Sequence, residues 1–166
     1  PLEECIKDLI FELDHLEDRI RFFTKKIEDA LLSTPGAILT AISGVGVVTA
    51  ATIVSGIGDI NQFKSADQLV CSCRLIPTSY PSGIFISTRN RMAKRGQTSL
   101  AWVFYQIALT SLTYNPVLRE YYLKKLSEGK PKKVAVIAVV RKLVRLVYSM
   151  LKNDRAYDDT FNSKSC

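Results

Sequence analysis

A single apolar seam constrains the first thirty residues more than any other feature of this chain. Leu2, Ile6, Leu9, Leu13, Leu16, Ile20, Phe23, Ile27 and Ala30 recur at alternating steps of four and three. That spacing keeps one edge of an α-helix apolar over four heptads, the pattern of a coiled coil. The expected helix is about 45 Å long at 1.5 Å per residue. In a parallel in-register dimer Glu12 would face Glu17 of the second chain, which is repulsive. An antiparallel pairing or a partner helix elsewhere fits better, and a seam lying on its own subunit stays open. His15 falls at an outward heptad position and reads as solvated.

Beyond Pro35-Gly36, which ends this helix, the chain reads as one helical domain. Ile38 to Ile42 reads as a short helix and Gly44-Val45-Gly46 as a tight turn. A second helix begins near Val47 and closes at Gly56 and Gly58. Helix, glycine turn, helix is the helix-hairpin-helix pattern. Its glycines admit a phosphate close to the backbone, and the next helix offers free N–H groups and a positive dipole end. Such a turn holds DNA backbone without reading sequence, so Gly44, Val45, Gly46 and Thr49 are candidate DNA contacts. A plain tight turn with close packing is the structural alternative.

Ser65 and Gln68 form a capping box that starts a helix ending before Pro77. Residues 78–97 are the least helical stretch, and residues 83–88 alternate weakly, as a short strand or hairpin arm would. A helix with Leu100, Val103, Phe104, Ile107, Ala108 and Leu112 on one side follows, and Asn115-Pro116 breaks it. Another helix runs from Val117 to Ser127 and stops at Gly129. The last starts after Pro131 and reaches Asn153, with Ile137, Val140, Val144, Val147 and Leu151 on its apolar side. Arg141, Arg145 and Lys152 line another face. The expected fold is therefore all-α: a coiled-coil helix over 1–34, a helical domain with an irregular or β-like serine loop over 35–155, and a flexible tail over 156–166.

Charge is divided along the chain. The formal net charge is +7, but residues 1–83 carry −4 and residues 84–166 carry +11. A basic half suits a polyanion, and nucleic acid is the commonest such partner; a soluble basic surface with no partner is the bland alternative. Cys5, Cys71, Cys73 and Cys166 lack metal-ligand spacing, and there is one histidine, so the sequence argues against a Cys/His metal site and fits a histidine-based hydrolase triad badly. The acidic residues of the second half are too few and scattered for a two-metal nuclease site. Reduced thiols fit a cytoplasm. No signal peptide is present, and the longest apolar run, Val134 to Val140, is too short to span a membrane.

A serine hydroxyl attacks a phosphate well only when cations stabilise the charge that develops. Ser82, followed by Gly83, has Arg89, Arg91, Lys94 and Arg95 within thirteen residues. A Pro-Ser-Gly turn with no function is the alternative from these residues alone. The wider frame runs through residues 42–51, then Gly58-Asp59-Ile60, Phe63-Lys64-Ser65-Ala66, Leu75-Ile76-Pro77, Ser82-Gly83 and Lys94-Arg95-Gly96-Gln97. Lys130, Lys132 and Lys133 follow, then Arg141-Lys142-Leu143. From Ile38 to Lys152 this resembles the C-terminal domain of bacterial insertion-sequence transposases of the IS110/IS116/IS902 family.

The resemblance implies that Ser82 is a nucleophile forming a covalent phosphoserine link to DNA during strand exchange. It implies DNA as partner, and in some members a structured guide (bridge) RNA. It also implies an N-terminal RuvC-like domain whose acidic residues hold a divalent metal such as Mg. This chain has no such acidic quartet and begins at Pro1, so it reads as the C-terminal part of a longer bacterial, cytoplasmic enzyme, with no cofactor of its own and self-association through its first helix. Arg89, Arg91, Lys94 and Arg95 are the expected phosphate contacts near the cut, with Arg141 and Arg145 farther along. Three departures stand out: Arg74 replaces the family's glycine, Gln97 its asparagine, and Ala101 an arginine that would contact phosphate. A non-catalytic DNA-binding module and a coiled-coil assembly domain remain the alternative classes.

Overall fold

The computed structural model describes residues 1–75 and 96–155, together with the backbone of four two-residue strands between them. Apart from those strands it is built of helices. Helix α1, Leu2–Leu32, is a single 31-residue element. Along most of it the seam is bare: Leu2 is 76% exposed, Leu13 61% and Ile20 64%. Exposure falls only toward its C-terminal end, at Thr24, Ile27 and Leu31, where α1 packs on α2 and on the 3-10 helix Pro35–Ala41. The seam therefore does not lie on its own subunit. The Thr34 hydroxyl donates to the Leu31 carbonyl at 2.7 Å, and Pro35 then turns the chain.

The short helix expected before the glycine turn, at 38–42, is a 3-10 helix that starts earlier, over Pro35–Ala41. Proline at its first position and Gly36, with Leu39 as its only large buried side chain, favour a short, tightly wound piece over a full α-helix. Helix α2, Val47–Ile57, buries Ala50, Ile53 and Ile57 and ends at Gly58 with φ +65°. A second short 3-10 turn, Ile60–Gln62, is capped by the Asp59 carboxylate, which accepts from the Asn61 amide. Helix α3, Ala66–Ser72, starts as the capping residues predict: the Ser65 hydroxyl accepts from the Gln68 amide at 3.4 Å, and the Gln68 side chain accepts from the Lys64 amide at 2.7 Å.

Helices α4 (Thr98–Tyr114) and α5 (Pro116–Ser127) meet at a corner built by Asn115. Its buried side chain accepts from the amides of Val117 and Leu118 at 3.0 and 3.1 Å. The residue that breaks α4 thus caps α5. Helix α6, Lys132–Asn153, is the central element, packing against α3, α4, α5 and both 3-10 helices. Being covered on several sides, it needs a wider apolar sector than one stripe. Val136, Val139, Leu143 and Leu146 are buried beside the expected Val140, Val144 and Val147, while Ile137 and Leu151 sit half-exposed at its margins. One core joins Phe104, Ile53, Leu69, Leu118 and the α6 residues. Among the described residues no helix is long and apolar enough to cross a membrane.

Candidate nucleic-acid interface

Three places carry the expected functional residues. The first is the glycine turn. The Val45 amide donates to the Ile42 carbonyl at 2.9 Å, and the Ser111 hydroxyl of α4 ties the Ser43 carbonyl at 3.0 Å. Gly44 has φ +93°, and a Cβ there would lie 3.0 Å from the Thr110 methyl. Gly44 is therefore glycine for conformation and for its approach to α4. Gly46 differs. It is exposed, caps α2 in an extended conformation, and has nothing within 4 Å of the Cβ position. Val45 is buried as an apolar anchor, and Thr49 is half-buried on the first turn of α2. No side chain caps the α2 amides. Their open N–H groups and the bare Cα of Gly46 form a surface that an anion can approach.

The second place is the serine loop. Pro77–Thr78 pairs antiparallel with Arg91–Met92, and Pro81–Ser82 with Phe85–Ile86. In the inner pair Ser82 stands opposite Phe85; in the outer pair Arg91 stands opposite Thr78. The segment that carries Ser82 is thus a nested pair of β-ladders. Gly83, Arg89, Lys94 and Arg95 lie outside the described residues, as does the tail from residue 156, and only the backbone of Ser82 and Arg91 is described.

Both ends of the loop are fixed at the C-terminus of α3. Arg74 has φ +58°, a left-handed conformation for which a β-carbon is unfavourable, and its guanidinium hydrogen-bonds the Thr98 hydroxyl at the start of α4. On the return side the Gln97 amide donates to the Ser72 carbonyl at 2.8 Å. Gly96 has φ +117°, and a Cβ there would fall 2.3 Å from that same Ser72 oxygen. Nearby, burial pushes the Cys73 thiol up to about 11. It stays protonated and unreactive, so it is no rival nucleophile.

The third place is a groove of about 450 Å³ between α5 and α6, beside the start of α3. Tyr121, Lys125, Lys130, Arg141, Lys142 and Arg145 line it. Here Arg141 and Arg145 come together, and none of the glycine-turn residues joins them. Arg145 binds the Asp67 carboxylate through two nitrogens at 2.8 and 3.2 Å. That hydrogen bond, with the attraction of the same guanidinium, holds the Asp67 carboxyl below the usual range. Lys125 and Lys130 converge on Glu128 at 2.8 and 3.0 Å. The hydrogen bond from Lys125, and then that from Lys130, lowers the Glu128 carboxyl to about 2. Lys142 and Lys125 lie over the Tyr121 ring, 4.5 and 5.2 Å from its centre. Sequence reasoning missed Tyr121, Lys125 and Lys142 as a unit. The signal was the four-residue step from Tyr121 to Lys125, set against the 141, 142 and 145 positions of α6.

Among the described residues no three His, Cys, Asp or Glu side chains gather as a metal ion requires.

The described residues form a helical domain with Ser82 on a short paired strand and a basic groove between α5 and α6. Residues 36–123, more than half of the chain, match the model of the transposase IS116/IS110/IS902 family, and the chain belongs to that family. It is 30% identical over 155 residues to the insertion element IS116 uncharacterized 44.8 kDa protein of Streptomyces clavuligerus, covering 93% of this chain and 39% of that protein. It is 28% identical over 150 residues to the pilin gene-inverting protein of Moraxella bovis, covering 87% and 47%. A probable family 20 transposase of Pseudomonas aeruginosa is 26% identical over 95% of this chain and 47% of its own length. The chain therefore spans less than half the length of these relatives.

Proposed function

We propose that this chain is the strand-exchange segment of a longer DNA transposase, in which Ser82 is the nucleophile. The observation that carries the reading is the family match running through a serine held on a paired strand whose loop is tied at both ends to α3 and α4. The relatives named as a probable transposase and as a pilin gene-inverting protein suggest the class of reaction.

The chemistry is an exchange of phosphodiesters. The Ser82 hydroxyl oxygen bonds to phosphorus as the bond to one deoxyribose oxygen breaks, and the seryl proton ends on that leaving oxygen. A deoxyribose hydroxyl of the second strand then attacks the phosphoserine and returns the serine. One ester replaces another at each step, so no outside energy source or oxidant is consumed. Arg89, Arg91, Lys94 and Arg95 would stabilise the charge gathering on the phosphate oxygens. The glycine turn, through Gly44, Val45, Gly46 and Thr49, would hold duplex backbone, and Arg141 and Arg145 would serve a further length of nucleic acid. A structured guide RNA is a second polyanion that the basic half suits. Self-association through the bare α1 seam completes the reading.

The test is a suicide DNA substrate incubated with the longer polypeptide and run on a denaturing gel. Wild type gives a covalent protein–DNA band. Ser82→Ala gives none, while its DNA affinity stays within about threefold, since one neutral hydroxyl contributes on the order of 1 kcal/mol. A band persisting in Ser82→Ala would move the nucleophile to Ser79 or Ser87.

A further inference from the structure

Helix α4 carries a second face besides the one it buries. Thr98, Ala101, Trp102 and Tyr105 follow one another at helical spacing, which puts them on one side of the helix. They line a hollow of about 320 Å³ together with Arg74 and Leu75, just past the end of α3, and Ile137 of α6. Leu75 is buried, and Tyr105 and Ile137 are half-buried. Ala101 contributes only a methyl group, which leaves the hollow room. Trp102, the one tryptophan of the chain, is 63% exposed. An exposed tryptophan alone means little. Set in a hollow with a second aromatic ring and aliphatic neighbours, it makes a seat for a planar group. The place of the hollow matters too. Arg74 and Leu75 are where the chain leaves α3 for the serine loop, and Thr98 is where it becomes helical again. The hydrogen bonds from Arg74 to Thr98 and from Gln97 to Ser72 close those two ends beside the hollow.

We propose that this hollow seats one unpaired nucleobase, stacked on the Trp102 indole, of the strand that approaches the serine loop. Every base has a π face, and an aromatic side chain holds it without regard to sequence. The volume lies at the lower end of ligand pockets, which run from about 300 Å³ upward, so it takes one ring system and not a base pair. A paired base keeps its faces inside the duplex, so the occupant is single-stranded or turned out of its helix. Charge argues against an apolar protein segment in the same place. Arg74, bonded to Thr98, forms one wall, and none of the described lining residues is acidic. Lys94 and Arg95 precede Thr98 by four and three positions. An apolar side chain gains nothing from such cations, whereas a base arrives with a phosphate attached. The seat rests on the reading of this chain as a nucleic-acid enzyme for the class of its ligand. It does not depend on which serine attacks.

Because Trp102 is the one tryptophan, the emission of this chain reports on the seat directly. The experiment titrates the chain with twelve-nucleotide single strands, in one DNA and one RNA arm. It reads tryptophan emission and, with fluorescein-labelled strands, anisotropy. An abasic strand of the same length carries the same phosphates without bases. The strands with bases should quench the emission, and the abasic strand should not. Trp102→Ala should weaken single-strand binding about tenfold, the loss expected for one stacked base. Its salt slope should match wild type, because no phosphate contact is removed. Trp102→Phe keeps an aromatic face and should stay within about threefold of wild type. Tyr114→Ala removes a similarly exposed ring at the other end of α4 and should leave affinity unchanged. The arm with the larger loss in Trp102→Ala names the strand that supplies the base. Wild-type affinity in Trp102→Ala would overturn the seat, as would equal quenching by the abasic strand or an equal loss in Tyr114→Ala. If the wild type bound no strand in either arm, the nucleic-acid reading would fail and take the seat with it. Binding that is indifferent to Trp102 would remove the seat alone.

Discussion

Gly96 shows how one residue can hold a functional loop in register. Its φ of +117° and its approach to the Ser72 carbonyl leave no room for a β-carbon. The adjoining Gln97 amide makes the hydrogen bond that fastens the return of the loop to α3. Gly96→Ala should destabilise the domain by about 3 kcal/mol, through backbone strain and contact with a carbonyl that has no freedom to yield. Urea unfolding followed by circular dichroism measures it, and an unchanged midpoint would show that the loop end is not seated there. The sequence placed Gly96 within a motif but not its reason, because a close backbone approach leaves no trace in residue spacing. Arg74 is the reverse case. It stood out as a replacement for glycine, and its φ of +58° explains why glycine suits the position. The bond from its guanidinium to Thr98 gives the arginine a compensating contact. Cys71 and Cys73 lie two apart and so on different sides at the end of α3, one in solvent and one in the core, but that spacing does not say which of them is buried.

At the scale of elements, regular helices were legible and short ones were less so. The heptad seam, the Ser65 cap, the Asn115-Pro116 break and the Pro131 start all found their helices, because each acts through spacing or a local hydrogen bond. The 3-10 helix over Pro35–Ala41 is legible only as a short helix over 38–42, since apolar spacing over so few residues fixes neither its start nor its winding. Two predictions belong here. Leu13 and Ile20 are bare at the middle of the α1 seam. Replacing both with Asp should convert a self-associated species to a smaller one in light scattering, because a paired seam would bury charges without partners. An unchanged mass would mean that the seam is not the contact. Gly46 has open space at its Cβ position, so Gly46→Val should keep the fold while placing two methyl groups where a phosphate would approach the α2 amides. Duplex affinity should drop about tenfold for every sequence alike. Full affinity in the folded variant would make the turn a packing device only.

Across the whole molecule the division of charge becomes a division of surfaces. The acidic share lies mostly on α1, where pairs such as Glu3–Lys7 and Glu17–Arg21 are local and solvent-exposed and contribute little to stability. The basic share lies on the serine loop and on α5 and α6. Asp67–Arg145 bridges the two halves of the chain, and residues 84–166 carry a formal excess of +11. That excess was legible as a number in the sequence. Its gathering into a groove was not, because α5 and α6 bring residues twenty positions apart face to face only once folded. A surface of this kind should bind polyanions by releasing their counterions. If the chain neutralises about six phosphates, duplex affinity should fall roughly a thousandfold between 50 and 200 mM salt. A titration by fluorescence anisotropy measures the slope directly. A flat response would mean that the basic half meets no polyanion, and a slope near one would confine binding to a single phosphate.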